Sequence, residues 1–142
     1  MSGSYSVRRG AVSIRRSYIA MQVNLQYQPA MDVEIWKSQL RKGAAELAIL
    51  ALLDAGARSG IGLLDALSDR PAIGLSDGSI YPLLNRLERE GRIAGRWETP
   101  HGGGRGQKIY SLTADGASAL RSMRGAWIGF RNELTAIVGE RR

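Results

Sequence analysis

The feature that most constrains the 142-residue chain is the order of signals between residues 76 and 116. Ser76-Asp77-Gly78-Ser79 offers several helix-capping side chains, and residues 80–90 carry an apolar stripe of Ile80, Leu83, Leu84 and Leu87. Gly91 then stops the helix, as a residue that tolerates the left-handed conformation should. Pro82 fits such a helix only near its first turn. Two strand-like runs follow, 92–98 and 107–112. They flank Thr99-Pro100-His101-Gly102-Gly103-Gly104-Arg105-Gly106, a hairpin tip. Thr113-Ala114-Asp115-Gly116 opens a further helix.

Two more helices precede this block. Residues 38–53 are strong helix formers whose apolar side chains surround most of the helix, which predicts deep burial. Gly56 and residues 57–60 end it. A short helix over 61–68 turns Leu63, Leu64 and Leu67 inward, and Asp69-Arg70-Pro71 breaks it. Three helices and then a basic-tipped hairpin is the order of a winged helix-turn-helix. The third helix would read DNA and the hairpin would be the wing. The fold class expected is mainly α with a small β-hairpin.

The last helix, 117–138, spaces Leu120, Met123, Trp127, Phe130, Leu134 and Ile137 by steps of 3, 4, 3, 4 and 3. That is a coiled-coil-like seam, narrower than the face a helix shows to its own core. Pairing with a second copy is the stronger reading, and packing on its own domain is the other. The expected organisation is a disordered basic extension over 1–35, a DNA-binding domain over 36–115 and a dimerisation helix over 116–142.

The net charge of +7 is unevenly placed. Arg8, Arg9, Arg15 and Arg16 are unopposed in residues 1–31. The 16 remaining basic residues face all 13 acidic ones, a surplus of three. Pattern rather than charge therefore carries the argument for a nucleic-acid partner. Residues 1–31 read as a disordered tail, as sequence upstream of a start at Met21 or Met31, or as an amphipathic arm. No cysteine is present, which removes disulfides and thiol chemistry. No apolar run is long enough for a bilayer, so a soluble cytoplasmic protein with no membrane partner is expected.

Catalytic motifs are hard to build here. The glycine-rich tip lacks the Lys-Ser/Thr of a phosphate-binding loop and does not open a helix. His101 is the single histidine, in a turn, with no second ligand beside it. Glu88 and Glu90 are neighbouring helix charges. Neither an enzyme, nor a metal site, nor a cofactor is expected. The DNA-facing candidates are Ser76, Ser79, Tyr81, Asn85, Arg86, Arg89, Arg105 and Lys108. Tyr81 has an equally good reading as a half-buried core ring.

Ser79-Ile80-Tyr81-Pro82-Leu83-Leu84-Asn85-Arg86-Leu87-Glu88-Arg89-Glu90-Gly91 resembles the recognition-helix signature of the PadR-like transcriptional regulators. Leu40-Arg41-Lys42-Gly43, Trp97, Lys108, Tyr110 and Leu112-Thr113-Ala114-Asp115-Gly116 fit the same family, so the resemblance spans about residues 36–138. It implies a bacterial homodimeric winged-helix repressor, typically of detoxification, efflux or stress genes. It further implies a compact branch in which a small aromatic or hydrophobic effector enters at the dimer interface and stacks on Trp127. The chain departs from the family at Ser59-Gly60-Ile61-Gly62, where aromatic-Gly-aromatic-Glu is usual. It departs again at Gln107, where a basic residue is usual, and at Arg92 in an apolar slot. The competing reading is a winged-helix protein–protein interaction module with no DNA site of its own.

Overall fold

In the computed structural model, residues 30–139 are described. The chain divides into two compact units, 1–39 and 40–142. Helix α1 is Ala30–Asp54. Within the first unit its Val33, Ile35 and Trp36 are exposed, and Lys37 donates to Glu34 at 2.8 Å. The helix starts ahead of the expected boundary at residue 35. The rest of the basic extension lies outside the described residues.

In the second unit α1 is followed by β1 (Arg58–Ser59), α2 (Gly60–Leu67), α3 (Asp77–Arg89), β2 (Ile93–Glu98), β3 (Gln107–Leu112) and α4 (Ala114–Val138). The core is built from one side of each. Ile49, Leu50 and Leu53 come from α1, Leu63 from α2, and Ile80, Leu84 and Leu87 from α3. Ile93, Tyr110 and Leu120 close it from β2, β3 and α4. The inward stripe expected for the third helix is thus the one that is buried.

The hairpin pairs Ile93 with Leu112 and runs out to Glu98 opposite Gln107. A third strand was not expected. Arg58 and Ser59 pair antiparallel with Tyr110 and Ile109, giving the order β1-β3-β2. Ser59 then caps α2, its hydroxyl accepting from the Gly62 N–H at 3.0 Å.

Helix α3 ends in a glycine cap. Gly91 has φ +76°, its N–H donates to the Glu88 carbonyl at 3.0 Å, and the Arg92 N–H donates to the Leu87 carbonyl at 2.9 Å. These two bonds satisfy carbonyls the helix leaves open and turn the chain into β2. Thr113 then joins three elements. Its N–H donates to the Arg92 carbonyl at 3.1 Å, and its hydroxyl donates to the Gly91 carbonyl at 2.6 Å. The same oxygen accepts from the Gly116 N–H to cap α4. Gly116 is buried because any Cβ there would overlap the Arg92 carbonyl oxygen. The Thr-x-x-Gly pattern is therefore a joint between α3, the hairpin and α4.

Two expectations need correction. Pro82 is the sixth residue of α3, not part of its first turn. It leaves the Gly78 carbonyl without its usual helical donor. Leu120, expected at the head of a dimer seam, is 1% exposed and belongs to the domain core. Met123 also packs against that core.

Candidate nucleic-acid interface

The exposed face of α3 carries Gly78, Tyr81, Pro82, Asn85 and Arg89, residues that three- and four-residue spacing places together on a helix. Opposite them run Ile80, Leu84 and Leu87, the core side. The helix can therefore be packed and read at once. Arg89 is exposed and makes no ion pair among the described residues.

Ser76 and Ser79 hold the start of this helix. The Ser76 N–H donates to Ser79 Oγ at 2.9 Å, the two hydroxyls lie 3.2 Å apart, and Ser79 Oγ donates to the Ser76 carbonyl at 3.1 Å. Both hydroxyls are exposed but already engaged in the cap. Asp77, one of the capping candidates of the sequence, is exposed in the first turn. It suits the positive end of the helix and would repel a phosphate there.

Tyr81 is 40% exposed, and its ring lies close to Gly60, the first residue of α2. A Cβ on Gly60 would come within 2.7 Å of Tyr81 Cε1. The glycine kept from the family pattern at this site therefore leaves room for the ring, although both flanking aromatics are missing.

Two of the four cations expected at the DNA face, Arg86 and Lys108, are held by carboxylates. Arg86 bonds Glu46 of α1 and Glu90, each at 3.2 Å. Arg92 also pairs with Glu46 and reaches Glu90 at 3.7 Å. Glu46, with its side chain 15% exposed, thus lies between two guanidinium groups. Its hydrogen bond raises the Arg86 pKa, against the opposing effect of burial, and Glu90 adds to the rise.

Lys108 donates to Glu88 at 2.7 Å and lies 5.4 Å from the Tyr110 ring centre. The Glu88 bond raises the Lys108 pKa. Burial raises that of Tyr110. The path between Lys108 and Glu88 crosses Gly95, where any side chain would overlap both. Arg105, at the wing tip, is exposed and makes no ion pair among the described residues. Arg58 was also missed, and its buried Nε has no hydrogen-bond partner among the described residues. No local pattern marks it, because its position follows from a two-residue strand.

Elsewhere, Trp127 and Phe130 of α4 form a tilted pair with ring centres 6.2 Å apart. Among the described residues no group of three His, Cys, Asp or Glu is placed to hold a metal ion. No helix among them is long and apolar enough to cross a membrane.

A profile of the PadR-like family of transcriptional regulators matches residues 49–122. Similar solved structures include a PadR-like transcriptional regulator from Bacillus cereus, 27% identical, with a TM-score of 0.64 over 72% of this chain and 99% of that one. A PadR-like transcription factor from Bacteroides fragilis is 30% identical, with a TM-score of 0.61 over 71% and 96%. A PadR family regulator from Eggerthella lenta, 23% identical with a TM-score of 0.66 over 82% and 99%, shares the fold. No curated protein matches the chain.

Proposed function

The chain belongs to the PadR-like family of transcriptional regulators, and from that premise we propose that it binds a near-palindromic operator as a homodimer and represses transcription there. Helix α3 enters the major groove with Tyr81, Asn85 and Arg89 toward the bases, and Arg105 meets the phosphates from the wing. The observation that carries the pairing is on α4. Beyond Met123 every residue of the helix is exposed, including Trp127, Phe130, Leu134 and Ile137 of the seam. A second copy covers that seam and sets the two reading helices about 34 Å apart, one turn of DNA.

The Trp127–Phe130 pair lies on the same seam. A flat aromatic or hydrophobic effector slides between the paired helices there and changes the spacing of the reading heads. Such a ligand releases DNA only if it prefers the unbound form.

The test is fluorescence anisotropy on the DNA upstream of the protein's own gene against a scrambled duplex, at about 150 mM salt. A preference of about a hundredfold or more supports the operator reading. Equal, weak and salt-labile binding to both sinks it at that site. The second reading, a protein–protein interaction module, would then lead. It is favoured by Arg86 and Lys108 both being bound to carboxylates.

A further inference from the structure

Trp97 is 71% exposed, more than Trp36 at 58%, Phe130 at 56% or Trp127 at 45%. Strand alternation puts Ile93, Gly95 and Trp97 on one face of β2. At Ile93 that face is the protein core. At Gly95 it is crossed by the ion pair between Lys108 and Glu88 of α3. Trp97 lies outside the core, and its ring runs beside the wing turn at Gly106. The cross-strand neighbour of Trp97 is Lys108. The indole therefore stands on the side of the wing that faces the recognition helix, and it contributes nothing to the core.

The charge around it points to an anionic partner. Residues 92–112 hold Arg92, Arg96, Arg105 and Lys108 against Glu98 alone. Arg92, Arg96 and Lys108 meet Glu46, Glu98 and Glu88, which leaves Arg105 at the wing tip as the hairpin cation without an ion pair among the described residues. A broad apolar ring with one N–H donor, on a hairpin whose tip carries the unpaired Arg105, matches the alternation of deoxyribose faces and phosphates along a duplex edge.

We propose that Trp97 is a DNA-contacting residue whose indole lies against the sugar–phosphate backbone beside the groove that α3 reads. This inference rests on the DNA-binding function proposed above. The contact is independent of base sequence and sets the register of the wing on the duplex.

The experiment is fluorine NMR of the full chain labelled with 5-fluorotryptophan, its three resonances assigned by single Trp→Phe substitutions. The probe is the duplex from upstream of the protein's own gene, with a scrambled duplex beside it, and anisotropy follows saturation. The Trp97 resonance should move on saturation with either duplex. Trp97→Ala should weaken binding to both by about tenfold, with Trp97→Phe retaining most of the affinity. Circular dichroism checks that each variant is folded, and the labelled parent decides alone if one is not. Saturation with an unmoved Trp97 resonance overturns the inference and leaves DNA binding standing. Retention of neither duplex overturns both. A Trp97 resonance that moves with protein concentration in the absence of DNA assigns the ring to a second copy and overturns the inference.

Discussion

Lys108 on β3 donates to Glu88 on α3 at 2.7 Å, over a strand position, Gly95, that has no side chain to block the path. The wing and the recognition helix are fastened together by this pair. The same bond occupies the lysine that sequence pattern offers to a phosphate.

A prediction about salt follows. A cation already matched by a carboxylate releases few counterions from DNA, so Lys108→Ala should change the slope of log K against log salt by little. Arg105→Ala, a phosphate contact, should flatten it by about one for each copy, whereas Arg89→Ala, a base contact, should weaken binding and narrow the preference for the specific duplex. Glu88→Gln should free Lys108, raise affinity and steepen the slope by about one. Anisotropy across a salt series measures all four. If Lys108→Ala flattens the slope as much as Arg105→Ala, the lysine leaves Glu88 when DNA arrives.

Two glycines should respond differently to the same added methyl group. At Gly95 the colliding atoms are the ends of flexible side chains, so Gly95→Ala should cost about 1 kcal/mol or less while breaking the Lys108–Glu88 pair. At Gly116 the colliding atom is the Arg92 backbone carbonyl oxygen, and the joint through Thr113 must shift. Gly116→Ala should cost about 2–4 kcal/mol. Urea unfolding of the pair checks this, and equal costs would refute the joint.

Helix α4 should behave as two halves. Leu120→Ala should destabilise the domain by about 2–5 kcal/mol, because it empties a core site. Leu134→Asp should leave the domain folded and abolish pairing, because Leu134 is 40% exposed and touches no core. Denaturant unfolding reads the first and sedimentation velocity the second. A Leu134→Asp protein that still sediments as a dimer places the interface elsewhere.

Stability should fall at alkaline pH. The Lys108 pKa is raised in the folded protein, first by the Glu88 hydrogen bond, and the Tyr110 pKa is raised by burial. A group whose folded value lies above its unfolded one contributes stability fully present below the unfolded value. That contribution is lost as pH rises through the folded value. The unfolded values are about 10.4 and 10, so the loss should begin near pH 10. Glu88→Gln should weaken the lysine contribution and keep that of Tyr110. Urea midpoints across that pH range test the direction, and a midpoint that rises instead refutes it.

Much of the architecture was legible because it is written locally. The capping serines, the apolar stripe of α3, Gly91 and the glycine-rich tip each act within a few residues, and each stands where the pattern put it. β1 was not legible. Two residues carry no strand pattern of their own, and the partner of Arg58 is Tyr110, far along the chain. The seam of α4 misled at one end for a related reason. A 3-4 spacing has the same appearance whether it meets the chain's own core, as at Leu120, or lies outside the core of the described residues, as at Trp127.

The sequence by itself determined the order of helices, strands and turns, and which face of α3 would be apolar. Those depend on backbone preference and side-chain period, which act over one or two turns of chain. The tertiary structure decided which cations remain free. Glu46 meets Arg86 across 40 positions and Glu88 meets Lys108 across 20, so local pattern could offer only the one-turn Arg86–Glu90 pair and not these two carboxylate partners. Charge acts through space, and only the fold sets those distances.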